Sequence, residues 1–282
     1  MRPNYIKRAW KDGKQTVGGW IGTDAVHTAE TMARVGFDWL CMDMQHGLLD
    51  YNDVRDMLPA IGNTNTVPIV RVPWNEPYII MKVLDAGAYG VIVPLVNNRE
   101  EAEKAVAACR YPQEGMRSFG PIRAASFGSG YAKYANSEIL CIAMIETAEA
   151  LKNLDEICTT PGLDAIYIGP SDLAFAIGQI ARGDTDDPKH AETVTHIYET
   201  ARKHNINVGI HTGSLKFTKR FLKQGFDMVM LGADSAFMSR MATSELNEAR
   251  SDSGVDAIGT VSYTHLRAHE TVLDLVCRLL LE

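Results

Sequence analysis

Uncharged runs rich in Val, Ile, Met and aromatic residues recur along the chain from Thr16 onward. Between them lie stretches in which apolar residues return every three or four positions. The runs predict strands at Thr16–Trp20, Trp39–Met42, Pro68–Val72, Gly90–Pro94, Ile139–Ile145, Asp164–Ile168, Asn207–Ile210 and Phe226–Leu231. The stretches between them predict helices at Asp24–Val35, Tyr51–Ile61, Pro77–Ala86, Arg99–Cys109, Ala148–Cys158, Pro188–Lys203, Leu215–Lys223 and Ser235–Arg250. Strand and helix alternating in this way predict a parallel sheet. A chain of 282 residues is long enough to close that sheet into a (β/α)8 TIM barrel, with a doubly wound open sheet as the alternative.

No shift in composition marks a linker, so residues 1–260 read as a single (β/α)8 domain. The longest irregular stretch is Tyr111–Gly130, "YPQEGMRSFGPIRAASFGSG". Loops of that length in compact domains act as lids or stay disordered. Its glycines lack the spacing of a phosphate-binding loop. The C-terminal residues 261–282 need separate treatment. Val261–Thr271 and Leu275–Glu282 back-translate, in one reading frame, to the two ends of a sequencing-library adaptor. The interval between them has the length of a sample index. This segment therefore reads as translated adaptor, is left out of the fold, and puts the expected native end near Thr260.

Composition narrows the function classes. The chain is 46% hydrophobic and 22% charged, with a formal net charge of -7 and no basic stripe, which argues against a nucleic-acid partner. The N-terminal "MRPNYIKRAWKDGKQ" has no apolar secretory segment, and no uncharged run is long enough to span a bilayer, so no membrane partner is expected. The five cysteines form no CxxC pair and no zinc-like spacing. Buried free thiols in a reducing cytoplasm follow from that.

Barrel active sites sit where the strands end, so the polar residues at each predicted strand end are the candidates. They are Asp43 and His46, Arg71, Glu146, Asp172, His211 and Asp234. Glu146 and Asp172, from adjacent strands, suit a hard divalent cation whose remaining positions go to water and substrate oxygens. Local structure offers an alternative for each: a helix-start acid for Glu146, a helix cap for Asp172. "GPSDLA" also turns backbone N–H groups near Ser171 and Asp172 toward a carboxylate. His46 is the general-base candidate, with Asp43 or Asp85 to orient it. Arg71 either holds an anionic oxygen or pairs with a neighbouring acid. His27, His190, His196 and His204 fall on predicted helices and read as solvated.

The segments "GFDWLCMDMQHG", "VPIVRVPWNEP", "VLDAGAYGVIVPLV", "RYPQEGMRSFG", "IETAEALKNLDEI" and "GLDAIYIGPSDLA" follow one another in order. Together they resemble the HpcH/HpaI aldolase/citrate lyase family, the class II metal-dependent pyruvate aldolases of the 4-hydroxy-2-oxoheptanedioate aldolase type. The resemblance runs from about Thr16 to Phe237. It implies a barrel of the phosphoenolpyruvate/pyruvate superfamily type, with a divalent cation (Mg2+ or Mn2+, with Co2+ or Zn2+ as alternatives) held at the positions of Glu146 and Asp172. It places Arg71 on the pyruvate keto oxygen, His46 as the base and Asp85 as partner of that His. Gly169, Pro170, Ser171 and Asp172 would bind the keto acid, and His211 would face the aldehyde where an apolar residue is expected. It further implies a homo-oligomer, a hexamer built as a trimer of dimers, with sites near subunit boundaries. Two positions depart from the pattern: Met144 stands where a Gln is common, and Gln45-His46 where Glu-His is common.

The expectation is thus a cytoplasmic lyase that reversibly cleaves a 4-hydroxy-2-oxo acid to pyruvate and an aldehyde through a metal-stabilised pyruvate enolate. Lys is absent from the predicted strand ends, which argues against a Schiff base. A citryl- or malyl-coenzyme A lyase relative is the second enzyme reading. A catalytically idle keto-acid or metal-binding relative is the alternative from another class.

Overall fold

Eight parallel strands close into a barrel in chain order, the last pairing with the first. They are β1 (Thr16–Ile21), β2 (Trp39–Asp43), β3 (Val67–Arg71), β4 (Gly90–Val93), β5 (Leu140–Ile145), β6 (Ala165–Ile168), β7 (Asn207–Ile210) and β8 (Met228–Ala233). The computed structural model describes residues 1–128 and 130–253. The helices are α1 (Tyr5–Lys11), α2 (Val26–Arg34), α3 (Tyr51–Gly62), α4 (Pro77–Ala86), α5 (Arg99–Cys109) and α6 (Tyr131–Glu138). They continue with α7 (Ala148–Lys152), α8 (Leu154–Cys158), α9 (Pro170–Ala176), α10 (Pro188–Lys203), α11 (Leu215–Gln224) and α12 (Asp234–Ser253). Met1–Phe237 is one compact unit, and the chain from Met238 belongs to a second. The domain end expected near Thr260 and the segment 261–282 lie outside the described residues. None of the described helices is long and apolar enough to cross a membrane.

The predicted strands all form, and the closed barrel rather than the open sheet is the architecture. Side chains alternate between two buried layers. Leu40, Met42, Val70, Val91 and Val93 face outward and pack under the helices. Trp39 and Cys41, Val67 and Ile69, Leu140, Ile142 and Met144, and Ala165 and Tyr167 face inward and fill the lumen. This is the period-two geometry of a strand applied to both faces of a fully covered sheet. Bulky lumen rings require small neighbours: a methyl group at Gly18 would lie 2.0 Å from the Trp39 ring, and one at Gly209 would lie 2.5 Å from Tyr167.

Helices α1, α6 and α9 lie outside the predicted set. Helix α1 seals the end of the barrel where the strands begin. Its Ile6 is 1% exposed within the lumen cluster, and Asn4 caps it while donating to the Tyr89 and Glu138 carbonyls. Helix α6 lies in the stretch between α5 and β5. The helix predicted over Ala148–Cys158 breaks into α7 and α8 at Asn153. The long insert Tyr111–Gly130 also needs correction. It joins a helix to the following strand, so it emerges where the strands begin and cannot serve as a lid over the mouth of its own barrel.

Candidate active site

Following the inward alternation past the lumen to the strand ends gives the next inward positions: Asp43 on β2, Arg71 on β3, Glu146 after β5, Gly169 after β6 and His211 after β7. The layer just below them is apolar. The polar residues are therefore presented at one mouth by the same register that buries Cys41, Ile69, Met144 and Tyr167. Arg71, Met144, Gly169 and His211 line a small cleft of about 140 Å3 there. His46, from the loop after β2, and Pro170, Ser171 and Asp172, from the first turn of α9, complete it.

Arg71 and Asp43 are both buried and form a two-pronged pair. Arg71 Nε donates to Asp43 Oδ1 at 2.8 Å and Nη2 to Oδ2 at 2.6 Å. Trp20 Nε1 donates to Oδ2 at 3.1 Å, and the Gln45 and His46 backbone N–H groups donate to Oδ1. Burial alone would raise the Asp43 carboxyl's pKa, but the Arg71 hydrogen bonds and charge outweigh it and hold it below its ordinary value. Asp43 therefore fixes the guanidinium and the backbone of the His46 loop. Arg71 Nη1 is the terminal nitrogen not engaged by Asp43; its recorded contact is the Met144 sulfur, at 4.0 Å.

Glu146 is 2% exposed. Its Oε1 accepts the Leu95 N–H at 2.9 Å, while Oε2 finds no hydrogen-bond partner. Burial, reinforced by the charge of Asp172 and opposed by the Leu95 N–H and Arg71, pushes its pKa up to about 7. Gly169 makes room for this carboxylate: a methyl group there would lie 2.3 Å from Oε2 and 2.8 Å from Met144 Cε. Asp172 is exposed on the first turn of α9. A buried carboxylate oxygen without a donor, and a second carboxylate whose charge it feels and which lines the cleft, fit a hard divalent cation. No group of three or more His, Cys, Asp or Glu stands together among the described residues, so the remaining positions would fall to water or substrate. His211 packs edge-on against Trp20, ring centroids 4.7 Å apart, and its Nδ1 has no partner. Burial and then the Arg71 charge push its pKa down to about 4, so the imidazole is neutral near pH 7.

Other candidates sit elsewhere. Asp85 ends α4, on the side where the strands begin, and its Oδ1 accepts Arg117 Nη2 at 2.7 Å; within one chain it is not brought to His46. Asp234 is 1% exposed and accepts from the Gly22, Thr23 and Ser235 N–H groups, latching β8 to the end of β1. His190, read from sequence as solvated, is 3% exposed, and its Nε2 lies 2.9 Å from the Pro170 carbonyl, bracing the turn that carries Asp172. That role and the Leu95 contact rest on long-range hydrogen bonds that no local pattern announces. Trp20 was legible in principle, as the inward position of β1 nearest the mouth.

A closed (β/α)8 barrel with a buried arginine–aspartate pair and two carboxylates at its mouth has the form of a barrel enzyme. Within that class, residues 17–241 match the model of the HpcH/HpaI aldolase/citrate lyase family, and the chain belongs to that family. The hydroxypyruvate/pyruvate aldolase of Rhizorhabdus wittichii is 40% identical over 248 residues, covering 88% of this chain and 99% of its own. A 5-keto-4-deoxy-D-glucarate aldolase of Salmonella paratyphi C is 37% identical over 82% of this chain and 91% of its own. The crystal structure of an HpcH/HpaI aldolase/citrate lyase family protein from Burkholderia cenocepacia superposes with a TM-score of 0.82 at 30% identity, covering 88% of this chain and 99% of that one.

Proposed function

We propose that the chain is an aldolase that reversibly cleaves a 4-hydroxy-2-oxo acid to pyruvate and an aldehyde. The observation that carries this reading is the division of labour on Arg71. Two of its nitrogens are fixed by Asp43, and the third, against the Met144 sulfur, belongs to a cleft that His46 and Asp172 also line. In the cleavage direction His46 takes the proton of the C4 hydroxyl and the C3–C4 bond breaks. The electron pair moves into the C2–C3 bond and places negative charge on the C2 oxygen. Arg71 Nη1 is the donor held ready for that oxygen, and its geometry does not have to reorganise as charge develops. Glu146 and Asp172 are the residues that would hold a divalent cation, Mg2+ or Mn2+ by donor chemistry, which supplies Lewis-acid stabilisation of the same oxygen. The Gly169–Asp172 turn would take the substrate carboxylate, and neutral His211 would offer a hydrogen bond to the aldehyde portion. Among the described residues the cleft is lined by none that could form an imine, and the reading takes an enolate as the electron sink.

The reading includes a homo-oligomer, a trimer of dimers. Leu48, Trp74, Tyr78 and Phe175 are exposed on the loops and helices that follow the strand ends, and Met116, Phe119 and Ile122 on the long insert of the opposite side. Apolar side chains in such number favour a covered surface. Asp85 would then reach the His46 of a second copy rather than its own. The four described cysteines are free and buried, as a reducing cytoplasm would keep them.

Incubating the chain with pyruvate, Mn2+ and a panel of aldehydes, and reading product masses, tests the activity. A condensation product with at least one aldehyde is expected. Borohydride added with pyruvate should leave the protein mass unchanged, and a pyruvyl-lysine adduct would overturn the mechanism.

A further inference from the structure

Between β4 and α5 the backbone does something a leucine resists. Leu95 has φ 54°, in the left-handed region where a Cβ crowds the following carbonyl. Such a residue persists only where its surroundings hold it there. The surroundings are centred on Asn97. Its Nδ2 donates to the Leu95 carbonyl at 2.8 Å, and its side-chain oxygen accepts Thr147 Oγ1 at 2.5 Å. Its backbone N–H donates to Glu101 Oε2 at 2.7 Å, and its carbonyl accepts Asn153 Nδ2 at 2.8 Å. Asn97 thus ties the turn after β4 to the turn after β5, and Thr147, which it holds, directly follows Glu146. The Leu95 N–H is the donor that engages Glu146 Oε1.

We propose that Asn97 is a positioning residue for Glu146. It locks Leu95 in the left-handed conformation, so that one carboxylate oxygen is occupied by a backbone N–H and the other, Oε2, is left to meet a divalent cation alone. The inference rests on Glu146 being a metal ligand. Without Asn97 the Leu95 peptide relaxes, Oε1 loses its donor and the carboxylate is free to rotate. The Leu95 side chain takes no part in the hydrogen bond, and glycine adopts the same φ at no steric cost. That separates this role from general packing: replacing Leu95 by Gly should make Asn97 largely dispensable.

The test is Mn2+ affinity of the full chain, read by calorimetry, with the melting temperature followed in parallel. The variants are Asn97→Ala, Leu95→Gly, the two combined, and Glu146→Ala. Asn97→Ala is expected to weaken Mn2+ binding about tenfold, or about 1.4 kcal/mol. Leu95→Gly alone should bind close to wild type, and the combined variant should recover most of the loss. If Asn97→Ala does not fold, Asn97→Asp in a Glu101→Gln background asks the same question, because it keeps the acceptor for Thr147, loses the donor to Leu95 and sets no second carboxylate against the new one. Wild-type affinity in Asn97→Ala, or no recovery in the combined variant, overturns the positioning role while the metal site stands. Wild-type binding no tighter than that of Glu146→Ala overturns both.

Discussion

Replacing Gly169 by Ala exchanges one hydrogen for a methyl group at a crowded point of the mouth. The backbone there has φ −93° and ψ 88°, which an L-residue adopts, so the substitution acts through the new methyl and not through backbone strain. That methyl would stand 2.3 Å from Glu146 Oε2, where real contacts essentially never fall below 3.0 Å. The carboxylate must therefore retreat by about 0.7 Å or more. Its other oxygen is held by Leu95, and the new methyl itself is hemmed in on another side by Met144 Cε, 2.8 Å away. A displacement approaching 1 Å at a reacting centre costs on the order of 10²-fold, so kcat/KM should fall about 100-fold, or about 2.7 kcal/mol. Mn2+ binding should weaken alongside, with the melting temperature little changed. Gly22→Ala is the control, because a methyl there meets nothing nearer than 3.9 Å. Aldol turnover and Mn2+ titration of both variants decide it. Activity of Gly169→Ala within about threefold of Gly22→Ala would refute the reasoning that Glu146 Oε2 must occupy that spot.

Arg71→Ala should depress both C3 proton exchange of pyruvate in heavy water and full aldol turnover, by about 10²–10³-fold as for a lost oxyanion contact; exchange at the wild-type rate would remove Arg71 from the enolate. His46→Ala should cost aldol turnover about 10²–10⁴-fold, the usual span for a general base, and an unchanged rate would send the search for the base elsewhere. Glu146→Ala and Asp172→Ala should each abolish turnover with added metal while the circular dichroism spectrum stays native; most of the activity surviving at saturating Mn2+ would dismiss the two-carboxylate site. His211 has a folded pKa of about 4, against about 6.5 when unfolded, so the unfolded state takes up the proton first as pH falls. Its contribution to stability is whole above pH 6.5 and is lost between about 6.5 and 4, by about 1–2 kcal/mol once its partial exposure is allowed for. Urea melts at pH 7.5 and 4.5 should accordingly show a smaller loss for His211→Phe than for wild type; equal losses would contradict a neutral buried imidazole.

Strands and mouth were legible because both rest on local periodicity. An inward-facing Cys41 and Ile69 fix where Asp43 and Arg71 point two residues later, whatever the rest of the chain does. The sorting of acids was less legible. Asp234 and Asp43 stand at strand ends like Glu146, and only their partners separate them: backbone N–H groups saturate Asp234, Arg71 saturates Asp43, and Glu146 keeps an unpaired oxygen. Those partners come from segments far apart in sequence, as Leu95 and Glu146 do. For the same reason His190, at helical spacing, looked like a solvated residue until Pro170 was found against it. For the long insert, length alone left a lid among the readings, and connectivity removes it.

The distribution of local cost in this barrel is itself an argument about function. The lumen from Ile6 to Met144 is filled by apolar side chains and needs nothing more to be stable. Within one turn of chain above it stand a buried ion pair, a carboxylate oxygen without a donor, an imidazole kept neutral by burial and a leucine in the left-handed region. Each is unfavourable or at best neutral for folding; a buried ion pair, in particular, is commonly no better than apolar residues of the same volume. A chain under pressure only to fold would spread such features or lose them. Here Arg71, Glu146 and His211 converge on the mouth: one nitrogen of Arg71 meets only the Met144 sulfur, and one oxygen of Glu146 and Nδ1 of His211 have no hydrogen-bond partner. A ligand carrying a keto oxygen, bound with a cation, would satisfy the first two, and a hydroxyl on the departing aldehyde would satisfy the third.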